Sequence, residues 1–183
     1  AARDRFRGMY AFALWDTHRG RLTLGRDELG VKPLYYAQPS TREFAFASEP
    51  AALFEHPSLS PRPDPIAVSA YLSIIQISFG GRTLFEGVRA LEPGEWITID
   101  ADASPDPVAQ TSQSHVTQHA PEWASSATPV ATTRDTVAES TRLHLRADVP
   151  TCSLLSGGLD SAVLATLALD SLPALDTYCA GSK

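Results

Sequence analysis

Apolar residues fill Gly8-Met9-Tyr10-Ala11-Phe12-Ala13-Leu14-Trp15-Asp16 almost without a break, with small ones at Ala11 and Ala13. Such a run predicts a buried strand. Thr17-His18-Arg19-Gly20 supplies a turn, and Arg21-Leu22-Thr23-Leu24-Gly25 alternates as an antiparallel partner would. Asp27-Glu28-Leu29-Gly30 breaks that strand with a glycine suited to positive φ. Leu34-Tyr35-Tyr36-Ala37 and Phe44-Ala45-Phe46-Ala47 predict two more strands. Ser48-Glu49-Pro50 starts a helix with the serine as N-cap, and Asp64-Pro65 starts another that carries Ala67, Ala70 and Tyr71 on one face. Arg82-Thr83-Leu84-Phe85, the turn Glu92-Pro93-Gly94-Glu95 and the alternating run Trp96-Ile97-Thr98-Ile99 suggest a last hairpin-like unit. The first hundred residues therefore form a strand-rich α+β block.

From about Asp100 to Ala127 the pattern disappears. Ala, Ser, Thr, Gln, Pro and His dominate there, and little bulky aliphatic surface is on offer to offset the entropy of ordering. Residues 101–128 are expected to be a linker, with Trp123 its one large apolar residue. Periodicity resumes at Thr132-Thr133-Arg134-Asp135, a capped helix start, followed by Val137, Thr141 and Leu145 on one face and an end near Asp148-Val149-Pro150. Thr151-Cys152-Ser153-Leu154-Leu155 is a short buried strand. Ala162–Leu169 is an apolar helix whose Val163, Leu164 and Leu167 are expected in the core, and Tyr178-Cys179-Ala180 starts a second strand. Strand, glycine-bearing loop and helix in this order open a parallel nucleotide-binding sheet. The fold class is thus α+β over residues 1–100, then α/β over residues 129–183.

Composition narrows the function without naming it. The 183 residues are 43% hydrophobic and 20% charged, which suits globular material rather than a disordered chain. A net charge of -6 supplies no diffuse positive field for nucleic acid, so none is expected as a partner. No apolar run is long enough to span a bilayer and Ala1-Ala2-Arg3-Asp4-Arg5 does not resemble a signal peptide, so no membrane partner and a cytoplasmic location are expected. Cys152 and Cys179, too few for a disulfide framework, are expected to be reduced thiols, Cys152 in the core.

The chemistry is concentrated in Ser156-Gly157-Gly158-Leu159-Asp160-Ser161. Paired glycines let the backbone approach a polyanion closely, Ser156 and Ser161 add hydroxyl donors, and the following helix presents free N–H groups and the positive end of its dipole. Asp160 would repel bare phosphate, so it either holds a Mg²⁺ bridging to the phosphates or caps the helix. There is no Gly-Lys-Ser/Thr ending, which excludes the P-loop of kinases and GTPases. A plain capped strand-to-helix turn is the alternative, and the coincidence of so many specified residues argues against it. Elsewhere the bland reading wins. Arg26, Asp27, Gly30 and Pro33 are expected to support a hairpin rather than catalyse, and His115 and His119, set among Ser, Thr and Gln, are not expected to bind metal.

Ser156–Ser161 resembles the signature of the ATP pyrophosphatase group, which cleaves ATP between the α and β phosphates and passes AMP to a substrate. Upstream, Gly8–Asp16, then Gly25-Arg26-Asp27-Glu28-Leu29-Gly30-Val31-Lys32-Pro33-Leu34-Tyr35, then Phe46-Ala47-Ser48-Glu49, resemble in order the second half of a class II glutamine amidotransferase domain. The combination is similar to the glutamine-hydrolysing asparagine synthetase family, and Asp148-Val149-Pro150 fits it too. The resemblance implies the second half of an Ntn-type αββα sandwich, followed by the first strand-loop-helix of a PP-loop domain. It also implies a ligase of asparagine biosynthesis, with ATP and Mg²⁺ required, and glutamine and aspartate or another carboxylate as further substrates. Leu154, Ser156, Gly157, Gly158, Leu159, Asp160 and Ser161 are the implied ATP and pyrophosphate site, with Asp160 the candidate Mg²⁺ ligand. The family's nucleophile is an amino-terminal cysteine, whereas this chain starts at Ala1, so no catalytic residue is expected within it and no glutamine hydrolysis by the fragment alone. Relatives that close rings by amide formation, such as β-lactam synthetases and lasso-peptide macrolactam cyclases, and a non-catalytic nucleotide-binding remnant are the alternatives.

Overall fold

The computed structural model describes residues 5–75, 80–100, 111–113 and 128–181. The chain divides into two compact units, Ala1–Thr117 and Gln118–Lys183.

In the first unit, β1 (Ala11–Asp16), β2 (Arg21–Arg26), β6 (Glu95–Asp100) and β7 (Thr111–Gln113) form an antiparallel sheet in the order β1-β2-β6-β7. A second antiparallel sheet has the order β4-β3-β5, from β3 (Tyr35–Ser40), β4 (Glu43–Ala47) and β5 (Val88–Ala90). The two sheets share a core. Leu24 from β2 and Ile97 and Ile99 from β6 meet Tyr36 from β3, with Leu34 and Leu91 from the connections. Strand alternation sends the next residue, Ala37, to the other face, where it packs with Val88 and with Leu53 of α1 (Pro50–Leu53). A single helical turn, α1, therefore packs on the outer face of the smaller sheet. The opposite face of the larger sheet carries Phe6, Tyr10, Phe12 and Trp96 in mutual ring contact. Gly25 lies beneath them, and a Cβ there would come within 2.5 Å of the Phe12 ring.

Several expectations change. Of the strand expected over Gly8–Asp16 only Ala11–Asp16 forms, pairing with β2 as anticipated, and there Leu14 is 61% and Trp15 51% exposed. As the outer strand of its sheet it has packing on too little of its surface to be buried. The hairpin expected around Glu92-Pro93-Gly94-Glu95 does not form either. β5 pairs with β3 and β6 with β2, so that turn carries the chain from one sheet to the other. Arg82 and Phe85 make only isolated bridges, to Arg89 and Pro63. Glu49, not Ser48, occupies the cap position of α1, without a side-chain hydrogen bond. α2 (Pro65–Ile74) starts as expected: the Asp64 carboxylate accepts from Ile66 N and Ala67 N at 2.9 and 3.1 Å. Within the expected linker, Thr111–Gln113 adds β7 through backbone pairing, which needs no aliphatic side chain. His115, His119 and Trp123 lie outside the described residues.

The second unit begins with α3 (Pro129–His144), which starts at Pro129 rather than Thr132. Proline suits a first helical position, and the Thr132 and Thr133 hydroxyls donate back to Thr128 O and Pro129 O instead of capping. The helix ends at His144, ahead of the expected stop, and Val137, Thr141 and Leu145 are half-buried along one face. β8 (Cys152–Leu154) pairs in parallel with β9 (Asp176–Tyr178), and α4 (Leu159–Leu169) connects them. This is the expected strand-loop-helix-strand order. The expected burial is not observed. Cys152 is exposed, Leu154 is 76% exposed, and Val163 and Leu164 are roughly half exposed while Ala165 and Ala168 are buried. A sheet of two strands covers too little of either face, so the small residues of α4 take the core positions. No helix among the described residues is long and apolar enough to cross a membrane.

Candidate pyrophosphate-binding loop

β8 ends at Leu154, whose register partner is Tyr178, and Leu155 N donates to Tyr178 O at 2.8 Å. The parallel pairing thus holds the stem from which the loop departs. Gly157 then turns with φ +80°, a conformation that glycine adopts without cost, and a Cβ built on it would meet nothing within 4 Å. Gly158 is different: its φ is -83° and it is the N-cap of α4. The two glycines, given one role from sequence, have two, with Gly157 making the turn and Gly158 leading into the helix.

No side chain caps α4. Its first intrahelical bond runs from Ala162 N to Gly158 O at 3.2 Å, which leaves the amides of Leu159, Asp160 and Ser161 in the first turn, where a helix has no acceptors of its own. Asp160 is exposed in that turn and is not the cap residue, so the capping half of its two expected roles is not realised. The Ser161 hydroxyl donates to Gly158 O at 3.0 Å and lies 3.1 Å from the Ser156 hydroxyl, which in turn accepts from Gly158 N at 3.4 Å. Leu154 and Leu159, 76% and 79% exposed, flank the loop. The predicted residues are thus gathered at one strand-to-helix junction, with open space over Gly157. Sequence reading missed the mutual bonding of the two serines, although their five-residue separation across a glycine turn is the signal that could have revealed it.

The Arg26-Asp27-Gly30 cluster is structural, as expected, but it fixes a connection between two sheets instead of a hairpin. The Asp27 carboxylate is 2% exposed and accepts from Val31 N and Lys32 N at 2.9 Å and Tyr10 N at 3.3 Å. Burial alone would raise its pKa, but the hydrogen bonds from Lys32, Val31 and Tyr10 together outweigh burial and hold the carboxyl below its ordinary range. Arg26 donates to the carbonyls of Lys32, Leu91 and Gly30. Glu95, also missed from sequence, is 7% exposed and accepts from Glu92 N at 2.6 Å, and burial pushes its carboxyl up. Among the described residues no group of three or more His, Cys, Asp or Glu is placed to hold a metal ion.

Residues 1–109 match the glutamine amidotransferase domain family and residues 132–183 match asparagine synthase. The chain therefore belongs to the glutamine amidotransferase domain family, and its carboxy-terminal residues 132–183 are similar to asparagine synthase. It is 30% identical over 165 residues to asparagine synthetase [glutamine-hydrolyzing] 3 of Bacillus subtilis, covering 90% of this chain and 26% of that protein. Asparagine synthetase [glutamine-hydrolyzing] 1 of the same organism is 32% identical over 190 residues, covering 98% and 27%. A putative asparagine synthetase [glutamine-hydrolyzing] of Mycobacterium tuberculosis is 34% identical over 190 residues, covering 97% and 28%. The chain spans about a quarter of the length of these relatives.

Proposed function

We propose that this chain is part of an ATP-dependent amide-forming ligase, a glutamine-hydrolysing asparagine synthetase, and that Ser156–Ser161 binds the pyrophosphate of ATP. The observation that carries the reading is the uncapped first turn of α4 beside the open Gly157 turn, within the segment similar to asparagine synthase. In the proposed reaction a carboxylate oxygen of aspartate attacks the α-phosphorus of ATP and the bond to the β-phosphate oxygen breaks, releasing pyrophosphate. Ammonia, formed as glutamine and water give glutamate, then attacks the acyl carbon and AMP leaves. Negative charge accumulates on pyrophosphate as it departs, so fixed donors around it lower the barrier more than they tighten binding of ATP.

Several residues in and beside the loop have a part in this. Gly157 keeps the space above the turn clear, the amides of Leu159, Asp160 and Ser161 donate to phosphate oxygens, and Leu154 and Leu159 border the nucleotide. A single carboxylate beside phosphate oxygens suits Mg²⁺, which Asp160 would hold and which would neutralise charge on the phosphates. Residues 1–100 would supply the later half of an αββα glutaminase sandwich, residues 101–128 the connection, and residues 129–183 the start of the synthetase sheet. Glutamine, ATP and aspartate are the small-molecule partners.

Asp160→Ala in the complete protein carrying this chain tests the assignment. Pyrophosphate release is expected to be abolished while glutamine hydrolysis continues largely unchanged. Equal loss of both activities in a folded variant would sink the assignment of Asp160 to the ATP half.

A further inference from the structure

α2 starts in a firmly built corner and ends in the open. Asp64 caps it, Arg82 Nη1 donates to Asp64 Oδ2 at 2.6 Å, and Asp64 N donates to Leu84 O at 2.9 Å. Ala67 is the buried residue of the helix, with Val68 and Ala70 half-buried. Beyond them Leu72, Ile74 and Ile75 are 76%, 63% and 78% exposed, and Ile66 and Tyr71 also lie on the surface. No charged residue occurs between Asp64 and Arg82. A surface helix ordinarily shows water a polar face, whereas one that is apolar all round belongs in an interior or an interface.

Three kinds of surface could cover such a helix, and two fit poorly. Helices that lie on a bilayer carry Lys or Arg on their polar side, and α2 has none. A second copy of the chain would need roughly 800 Å² from each partner, whereas the ten residues of α2 form a rod only about 15 Å long. A patch too small to hold separate chains together suffices for a domain of the same polypeptide, because the tether keeps the local concentration high. About three quarters of each relative has no counterpart in this chain. A domain holds about 50–250 residues, and residues 1–109 already match the glutamine amidotransferase family, so most of that remainder falls to the synthetase. We propose that α2 is a docking helix for the synthetase portion outside this chain, which covers Tyr71, Leu72, Ile74 and Ile75 with an uncharged apolar surface. The inference rests on the reading of the chain as part of an asparagine synthetase.

The test uses the complete protein carrying this chain, with Leu72→p-benzoylphenylalanine for photo-cross-linking and, separately, Leu72→Cys and Thr41→Cys for labelling. Thr41 is an exposed control in the β3–β4 turn. Maleimide labelling is read by mass on each cysteine's own peptide and divided by the rate in the unfolded protein. Leu72→Cys should react about tenfold more slowly than Thr41→Cys, since only opening of the docked helix exposes it. Irradiation of an equal mixture of ¹⁵N-labelled and unlabelled protein should give cross-links from position 72 to synthetase residues following Lys183, all within one molecule. Labelling within about threefold of the control overturns the proposal, because the helix is then uncovered. Cross-links between labelled and unlabelled molecules also overturn it, in favour of a second copy, as do cross-links confined to the glutaminase part. None of these readouts uses activity. Failure of the ligase reading shows as absent pyrophosphate release, whereas failure of this proposal leaves that release in place.

Discussion

Replacing Asp27 by alanine removes one carboxylate and strands three backbone donors at once. Val31 N and Lys32 N each lose a 2.9 Å bond and Tyr10 N a 3.3 Å one, at a position only 2% exposed. A buried donor left unpaired costs about 1–3 kcal/mol. Val31 and Lys32 are exposed residues and these bonds are only partly buried, so water reaches the freed donors; counting the two short bonds near the low end of that range and discounting the long one gives a loss of about 2 kcal/mol. Asp27→Asn keeps one acceptor oxygen but turns an amide group towards a backbone donor, so about half that loss is expected. The carboxyl is held below its ordinary pKa in the fold, so its contribution is fully present above the unfolded value of about 3.9 and is lost as pH falls through the folded one. Urea unfolding followed by amide exchange in β2, β3 and β6 measures the effect. The wild-type advantage over the alanine variant should hold from neutral pH to about pH 5 and shrink below about pH 4. A loss under about 1 kcal/mol, or a gap that widens in acid, would refute the reasoning.

Three further outcomes are expected. Gly157→Ala forces a side chain into φ +80° and should cost about 1 kcal/mol in the second unit, whereas Gly158→Ala, at φ -83° with its Cβ 3.4 Å from Ser156 Oγ, should fold as wild type; thermal unfolding compares them. Glu95→Gln keeps an acceptor for Glu92 N and removes a buried charge, so it should gain about 1 kcal/mol at pH 7, a gain that fades as the wild-type carboxyl protonates towards pH 4 in urea titrations. Gly25→Val would drive its side chain into Phe12 and Trp96 and should lower stability by about 1–3 kcal/mol, visible as altered Trp fluorescence with an earlier transition.

Local order was legible in the sequence and non-local order was not. The alternation in Arg21–Gly25, the glycine turn at Gly30 and the Asp64-Pro65 helix start depend on a few neighbouring residues, and all three are found. The failure at Glu92–Glu95 has the opposite cause. A turn between two strands reads as a hairpin, and only the choice of partner, made by Leu24, Tyr36 and Ile97 in the shared core, sends β5 and β6 to different sheets. Burial was misjudged for a related reason. Leu14, Leu154 and Val163 are apolar enough for a core, but burial depends on what packs across from them. The strand-to-helix junction proposed to bind pyrophosphate was legible as a local element because its glycines, serines and aspartate lie within six consecutive residues. What six letters could not convey is that the two serines bond to each other, or that Gly157 and Gly158 differ in backbone conformation.

The central claim is that the protein joins an amide by passing AMP to a carboxylate, and isotope transfer tests it most directly. With ¹⁸O in the side-chain carboxylate of aspartate, and glutamine and ATP supplied, the complete protein carrying this chain should form asparagine together with AMP that has gained one ¹⁸O, and pyrophosphate should appear in equal amount without label. Label recovered in orthophosphate, with ADP formed and AMP unlabelled, would contradict the account.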